Sequence, residues 1–366
     1  MHDSSSIPWV DRVLKVLEAA PQGRLLVGCD GFIDRVVRVV EREGTPPICY
    51  ETIRDFLGSV SPDHSSGYGL QVREERLGGN APLLARGAAK LGLPTTLVST
   101  LGWPQSVPML ASSLAGLPID LHTIGDPGST LALEFTNGKI MLGEPRELAT
   151  LTLPEVNQRL QTATWATLLD QVSLMAWVNW TMTPWMEDLW AHLRDLKPPL
   201  CPMFIDLADP SRRGLKALEQ AVRLLKEWPG PLWVGLNRKE AMAVASLAGS
   251  PRSEANLEEL STQCAKVLPH AHLVLHSRRG TVLQTQGTTL SMAVPDLGSP
   301  MTLTGAGDHF NAGLLAGLAY GLQGEALLGL ACAYASSYVM TGESLTRSGF
   351  AKWLAEQVIF RDLPLR

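Results

Sequence analysis

"TLTGAGDHFNAG", residues 302–313, places Gly305, Ala306 and Gly307 directly before an acid, Asp308. The apolar spacing after the acid predicts a helix over 307–321 that begins at a turn without bulky side chains. The N–H groups of a first helical turn lack intrahelical partners, and small residues let a phosphate approach them closely. Asp308 could take the proton of a hydroxyl group that attacks phosphorus. The same residues also suit close helix packing with Asp308 as a cap, and the motif alone leaves both interpretations open.

Around this turn, the pattern of the chain indicates the fold class. Upstream, the predicted strands are 23–33, 95–102, 173–180, 202–208, 232–237 and 271–276. Helical patterns precede or separate them at 9–20, 80–92, 184–195, 213–228, 238–248 and 256–268, and further helices follow at 307–321, 324–341 and 346–357. Alternation of this kind predicts an α/β fold with a mostly parallel sheet that is covered by helices on both faces.

Two stretches interrupt the alternation and predict a small lid over a sheet edge. Residues 39–77 are polar and rich in turn formers, although "ETIRDFLG" (51–58) inside them has helical spacing. Residues 126–144 predict a hairpin around Asn137-Gly138, a strong turn signal. We therefore predict a core of 1–38, 78–125 and 145–366, with the lid formed by 39–77 and 126–144.

Composition excludes several classes of function. The chain has 366 residues, 45% of them hydrophobic, and a formal net charge of −5, which offers no basic surface for nucleic acid or anionic lipid. The five cysteines include no CxxC pair, so we expect a reducing, cytoplasmic compartment rather than a disulfide scaffold. No stretch reaches the roughly twenty apolar residues of a membrane span, and the N-terminus does not resemble a signal peptide.

Other phosphate-binding motifs fit poorly. No GxxxxGK[ST] sequence is present, which argues against a P-loop. Phe310 stands where a dinucleotide fingerprint would have its third glycine, and no HRD or DFG element of protein kinases occurs.

Five segments in order resemble the PfkB (ribokinase-like) carbohydrate kinases. They are "VGCDGFIDRVV" (27–37), "LGGNAPLLARGAAKLG" (77–92), "FIDLADPSRRG" (204–214), "LNRKEA" (236–241) and "TGAGDHFNAGLLAGLAYG" (304–321). This resemblance spans nearly the whole chain and implies a ribokinase-like three-layer α/β/α sandwich with a small lid. It implies an enzyme that transfers the γ-phosphate of ATP to a hydroxyl group of a sugar or sugar-like molecule.

The resemblance also implies a role for each matching residue. Asp308 would be the catalytic base, and the backbone of Gly305, Ala306 and Gly307 would form the anion hole. Mg²⁺ and the ATP phosphates would be positioned by Asn237 and Glu240, largely through water. The residues implied to hold the acceptor are Asp34, Asp30, Gly78, Gly79 and Asn80. A homodimer through the lid is a further expectation from the family.

Three departures from the family pattern concern the cation, acceptor and nucleotide sites. Typical members carry an acid, associated with a monovalent cation, six residues before the base, where this chain has Thr302. Leu83 replaces an asparagine common after the glycine pair. Family members often have a Thr-x-Gly-x-x-Gly element near the nucleotide, and the corresponding "LHSRRG" (275–280) keeps only Gly280. We place the nucleotide beside Ser277 and Gly280.

Several alternatives stay open at this stage. The acceptor could be a nucleoside or a phosphosugar, or the chain could be a sensor that binds sugar or nucleotide without catalysis. Asp30 and Asp34 flank one turn, and we favour Asp34 for the acceptor and Asp30 for local N–H groups. A metal cluster of His270, His272 and His276 is disfavoured, as is phosphate contact by Arg278 and Arg279. We expect the tryptophans, Trp177, Trp180, Trp185 and Trp190 among them, to pack in the core or an interface.

Overall fold

The structure, a computed structural model, describes residues 8–61, 63–160, 163–170, 172–196, 201–249, 251–252, 254–296 and 298–360. Its strands are β1 (Leu25–Cys29), β2 (Phe32–Arg42), β3 (Ile48–Cys49), β4 (Gly69–Gly78), β5 (Thr95–Ser99), β6 (Ile119–Thr123), β7 (Gly128–Phe135), β8 (Gly138–Glu144), β9 (Leu174–Trp177), β10 (Met203–Asp206), β11 (Leu232–Asn237), β12 (Ala271–His276), β13 (Gly280–Thr285) and β14 (Thr288–Ala293). Its helices are α1 (Trp9–Val16), α2 (Ile53–Ser59), α3 (Asn80–Lys90), α4 (Pro108–Leu114), α5 (Leu153–Arg159), α6 (Trp165–Leu169), α7 (Met186–Asp195), α8 (Leu215–Lys226), α9 (Arg238–Ala245), α10 (Leu257–Val267), α11 (Ala306–Ala319), α12 (Gly324–Thr341) and α13 (Arg347–Glu356).

A large sheet forms the middle layer, in the order β14-β13-β12-β11-β10-β9-β1-β5-β6. All its pairings are parallel except β12 with β13 and β13 with β14, which confirms the predicted mostly parallel sheet. Every residue of β1, β5, β9 and β10 is buried, as expected for strands covered on both faces. Because parallel strands share a direction, the residues that follow β1, β9, β10 and β11 meet at one edge of the sheet.

Two hydrophobic cores fill the space between this sheet and the helices on its faces. One includes residues of α5 to α10, and the other includes residues of α1, α3, α4 and α11 to α13. The three-layer α/β/α arrangement is therefore confirmed. Trp177, Trp180, Trp185 and Trp190 lie in the first core with at most 3% of their surface exposed, which confirms their predicted packing role.

The second, smaller sheet contains β3-β2-β7-β8, with β4 paired to β2. Its β7–β8 hairpin and the helix α2 confirm the hairpin and the helical stretch predicted within the lid. Only Asp30 and Gly31 separate β1 from β2, so the chain passes almost directly from the large sheet into the small one. Residues 32–38 therefore belong to the small sheet and not to the larger one. The small sheet therefore starts at the edge of the large sheet where the carboxyl ends of its parallel strands meet.

Candidate active site

The turn before Asp308 adopts the geometry of an anion-binding helix start. Gly305 caps α11 with φ 89° and ψ −1°, a left-handed conformation that glycine adopts without strain. Within the described residues, the N–H groups of Gly305, Gly307 and Asp308 donate no backbone hydrogen bond, while that of Ala306 makes a long one (3.4 Å) to the oxygen of Leu303. Donors therefore stand free at the positive end of a 14-residue helix.

Asp308 lies beside these donors and is 8% exposed. Burial raises the pKa of Asp308 well above its usual range, and the carboxylates of Asp206 and Asp30 raise it further. A hydrogen bond from the side chain of Asn80 acts in the opposite direction. A carboxyl group with a raised pKa is a stronger proton acceptor when ionised, which suits a general base.

The glycine pair leads from the small sheet into α3 and brings two acids together. Gly79 has φ 93°, and a β-carbon there would stand 3.0 Å from the Cα of Gly31, so the turn requires glycine. A β-carbon on Gly78 would lie 2.3 Å from a carboxylate oxygen of Asp34. The pair therefore keeps open the space that the Asp34 carboxylate occupies.

Asp30 and Asp34 differ in how their oxygens are used. The carboxylate of Asp30 accepts hydrogen bonds from the N–H groups of Asn80 and Ala81 and from the amide of Asn179, each at 2.8 Å. Asp30 thus caps α3, and burial raises its pKa to about 6. Asp34 pairs with Thr130 across β2 and β7, and burial raises its pKa while Thr130 acts in the opposite direction. Both acids line the cavity described below, and acceptor binding by Asp34 stays a prediction.

Asn237 and Glu240 form a capping box at the start of α9. The side-chain oxygen of Asn237 accepts the N–H groups of Lys239 and Glu240 at 2.9 and 3.1 Å. In return, the carboxylate of Glu240 accepts the N–H of Asn237 at 2.8 Å and also its side-chain amide. Glu240 is 5% exposed, and burial, followed by the charge of Asp206, raises its pKa well above the usual range.

All these groups line one cavity of about 430 Å³ at the carboxyl edge of the large sheet. Its lining includes Asp30, Asp34, Gly79, Asn80, Asn237, Glu240, Gly305, Gly307 and Asp308. The structure therefore brings together the residues that the sequence predicts for acceptor binding, catalysis and metal positioning. Gly78 and Ala306 adjoin it, as the neighbours of Gly79 and Gly305.

A second cavity of about 850 Å³ adjoins the first and shares Asn237, His276 and Gly307 with it. Ser277, Arg278 and Arg279 line it, whereas Gly280 shapes the turn by bonding to the Ser277 hydroxyl through both its N–H and its oxygen. It lies beyond the glycine turn, on the side where the rest of a nucleotide would lie if its terminal phosphate bound at Gly305–Gly307.

Among the described residues, the histidines are not grouped with other ligands in a way that could hold a metal ion. His272 stacks on Trp233 with ring centroids 4.4 Å apart, and His276 stacks on Phe310 at 4.8 Å. Burial lowers the pKa of His276 to about 4, so its ring stays neutral at physiological pH.

Three residues of the site were not singled out from the sequence. Asn179 holds Asp30, and Asp206 accepts the amide of Asn311 at 2.8 Å while burial raises its pKa. Arg212 lines the cavity, whereas the guanidinium group of the neighbouring Arg213 forms a 2.9 Å salt bridge with the carboxylate of Glu187. The ends of β9 and β10 were the available signal, since polar residues directly after buried parallel strands gather at one edge.

A parallel sheet with a glycine turn and a buried aspartate at its carboxyl edge, beside a small second sheet, is the arrangement that the resemblance to the PfkB (ribokinase-like) carbohydrate kinases implies. A family model described as prokaryotic ketohexokinase matches residues 9–356. The ketohexokinase of Haloferax volcanii is 30% identical over 353 residues, which cover 90% of each chain. The chain therefore belongs to the prokaryotic ketohexokinase family, and it is a phosphotransferase for which the family implies ATP as co-substrate.

Solved structures support the fold. The adenosine kinase of Sinorhizobium meliloti matches with a TM-score of 0.69 and 16% identity, over 92% of this chain and 99% of that one. A ribokinase of Thermotoga maritima matches with a TM-score of 0.66 and 16% identity, over 92% and 100%. No helix among the described residues has the length and apolar character to cross a membrane.

Proposed function

We propose that the chain transfers the γ-phosphate of ATP to a hydroxyl group of a sugar, with Asp308 as general base and the Gly305–Gly307 backbone as anion hole. The observation that carries this proposal is the buried carboxyl group of Asp308 on the first turn of α11, beside free N–H donors. A ketohexose is the first acceptor to test, because the relative at 30% identity is named ketohexokinase.

The mechanism follows from where the side chains lie. Asp34, with Asn80 and the adjacent glycine pair, would hold the acceptor hydroxyl groups, since carboxylate and amide groups match their donors and acceptors. Asp308 would accept the proton of the attacking hydroxyl group while its oxygen forms the new bond to the γ-phosphorus. The N–H groups of Gly305 and Gly307 would stabilise the charge that develops on the phosphoryl oxygens. The small sheet would exclude water from the cavity.

The acids of the cavity fit a divalent cation. Asp206, Glu240 and Asp308 are buried, and the charge of Asp206 raises the pKa of the other two, so an added positive charge would relieve their repulsion. Within the described residues, no three acids, histidines or cysteines form a complete metal cage. We therefore propose that Glu240 and Asn237 hold Mg²⁺ through water and the ATP phosphates, where it would neutralise phosphate charge.

An ATP-consumption screen tests this function. Purified protein with ATP and Mg²⁺ would be offered fructose, ribose, adenosine and fructose 6-phosphate, with formation of ADP and of the phosphorylated product both measured. We expect turnover on a sugar, most of all fructose. Turnover on adenosine alone would favour a nucleoside kinase. Ligand binding without any turnover would favour the sensor alternative, against which the intact Asp308 and Glu240 weigh.

The pH profile gives a separate prediction. Burial and neighbouring acids raise the pKa of Asp308. On acidification its ionised form is therefore lost at a pH well above 3.8, the ordinary pKa of aspartate. We expect kcat/KM to fall as pH decreases, with an acid limb that belongs to the cluster of Asp308, Asp206 and Asp30. A rate that stays constant down to the ordinary pKa of aspartate would contradict the role of this buried base.

A homodimer through the small sheet is a further proposal. Leu70, Val72 and Leu142 are 46–53% exposed on one face of this sheet, opposite the face that carries Asp34 and Thr130. Helix α2 covers the neighbouring part of this face over Val37 and Val39, and the exposed side chains beside the covered part would favour association with a second copy. We expect sedimentation velocity to give a dimer for the wild type and a monomer for Leu142→Glu; a monomeric wild type would contradict the proposal.

The five buried free thiols fit the predicted reducing, cytoplasmic compartment.

A further inference from the structure

Two aromatic side chains hold the turn that precedes Asp308. The hydroxyl group of Tyr338, on α12, donates a 3.0 Å hydrogen bond to the oxygen of Thr304. Nδ1 of His309 lies 2.7 Å from the oxygen of Gly305. The two carbonyl groups of the turn that leads into α11 therefore each contact one side chain, and the oxygen of Gly305 also accepts the backbone N–H of His309 at 3.0 Å.

The neighbours of His309 fix its tautomer. The oxygen of Gly305 can only accept a hydrogen bond, so Nδ1 must carry the proton and donate it. Nε2 then has a free lone pair, and it lies 2.7 Å from the hydroxyl group of Ser344, which donates to it. Burial lowers the pKa of His309 to about 3, so the ring keeps this neutral form at physiological pH.

Packing leaves these rings little freedom. The rings of His309 and Tyr338 stack with centroids 3.6 Å apart and an angle of 10° between their planes. His309 has no exposed surface, and Tyr338 is 3% exposed. A β-carbon on Gly305 would stand 3.1 Å from the Tyr338 hydroxyl, so the stack lies directly against the turn. Burial raises the pKa of Tyr338, and the nearby side chain of Thr302, the residue that stands in place of the family acid, acts in the opposite direction.

The planarity of the peptide bond links these contacts to the anion hole. In a trans peptide, the C=O of one residue and the N–H of the next point in opposite directions within one rigid plane. Fixing the oxygen of Thr304 therefore aims the N–H of Gly305 away from Tyr338. Fixing the oxygen of Gly305 likewise sets the plane of the Gly305–Ala306 peptide, whose N–H keeps its long hydrogen bond (3.4 Å) to the oxygen of Leu303.

We propose that His309 and Tyr338 are positioning residues for phosphoryl transfer, which set the direction of the N–H groups in the anion hole. This inference rests on the proposed function. Neither side chain lines the 430 Å³ cavity, and Tyr338 reaches only a smaller cavity of about 110 Å³ that it shares with Asp34 and Thr304. We therefore place the action of both residues at the backbone of the turn. Misdirected donors would bind the ground state almost as well but would stabilise the developing charge less, so kcat should change more than KM.

The chain offers a matched control for Tyr338. Tyr334 lies one turn earlier on α12, has no exposed surface, and donates its hydroxyl to the oxygens of Gly87 and Leu345 at 3.1 and 3.0 Å. Tyr338→Phe and Tyr334→Phe therefore each remove one buried hydroxyl group, but only the first contact belongs to the turn. We expect Tyr338→Phe to lower kcat about 10-fold with acceptor KM within about 2-fold, and Tyr334→Phe to keep kcat within about 2-fold.

A second pair tests His309. His309→Asn keeps a donor near the place of Nδ1, whereas His309→Leu removes it while retaining bulk. We expect kcat to fall about 100-fold in the leucine variant and about 3-fold in the asparagine variant, at similar acceptor KM. Rates are to be normalised to the folded fraction, measured by thermal denaturation.

The outcomes are distinct. If His309→Leu does not fold, the two tyrosine variants decide. Equal kcat for Tyr338→Phe and Tyr334→Phe would overturn the positioning role while leaving the proposed function intact. A wild-type protein without turnover on any acceptor would overturn the proposed function, and this inference with it.

Discussion

Asp308→Asn is expected to lower kcat by about 10³- to 10⁴-fold, because it removes the proton acceptor but keeps the size of the side chain. The fold should be retained. Burial and the charges of Asp206 and Asp30 disfavour the ionised carboxyl group, so a neutral amide relieves repulsion and should leave Tm unchanged or raise it. The measurements are steady-state kinetics of phosphosugar formation and thermal denaturation.

Nucleotide binding provides the control for this variant. Asp308→Asn should bind ATP with Mg²⁺ at least as well as the wild type, since it removes a negative charge near the phosphates. Isothermal titration with a non-hydrolysable ATP analogue measures this. A variant that binds the analogue and retains more than a tenth of wild-type kcat would show that another group takes the proton.

The second large effect is expected at Asp34. Asp34→Ala should lower kcat/KM for the acceptor about 10²- to 10³-fold, because hydrogen bonds to a charged group contribute about 1.5–3 kcal/mol each and its carboxylate offers two oxygens. The apparent KM for ATP should change less than about 3-fold, since this side chain lies on the small sheet beside Thr130. Initial rates with each substrate varied separately measure both effects.

Asp30 is the matched comparison, because it lies in the short turn between β1 and β2, close before Asp34 in the chain, and lines the same cavity. Its carboxylate caps α3 and is held by Asn179, so Asp30→Ala should lower Tm by several degrees by leaving the N–H groups of Asn80 and Ala81 without a partner. Asp34→Ala should leave Tm nearly unchanged. If Asp30→Ala keeps its Tm and instead raises acceptor KM as much as Asp34→Ala does, the division of roles between the two acids is wrong.

Much of the fold could be predicted because its signals are local. Strands β11 and β12 have the predicted bounds, 232–237 and 271–276, since each is a short apolar run next to a clear helical pattern. Helix α12 also has its predicted bounds, 324–341. The start of the small sheet was harder to predict. The apolar run through β1 continues into β2 across Asp30 and Gly31, so periodicity alone shows no boundary.

The residues of the candidate site also differ in whether a local sequence signal points to them. Asp308 could be proposed from the glycine turn at its helix start, and Asn237 and Glu240 from a short motif that resembles an element of the family. Asn179 and Asp206 could not, because their partners Asp30 and Asn311 lie more than a hundred residues away in sequence. His309 was visible only as the neighbour of the base, and its contact with Ser344 depends on the packing of α11 against the chain that follows α12.

The most direct test of the account follows both products of one reaction. The protein would be incubated with ATP, Mg²⁺ and fructose, and ADP and sugar phosphate would be quantified together by ³¹P NMR, with Asp308→Asn in parallel. We expect one sugar phosphate for each ADP, little ADP without sugar, and almost no product from the variant. ADP formed without sugar phosphate on any acceptor, or equal product from the variant, would contradict it.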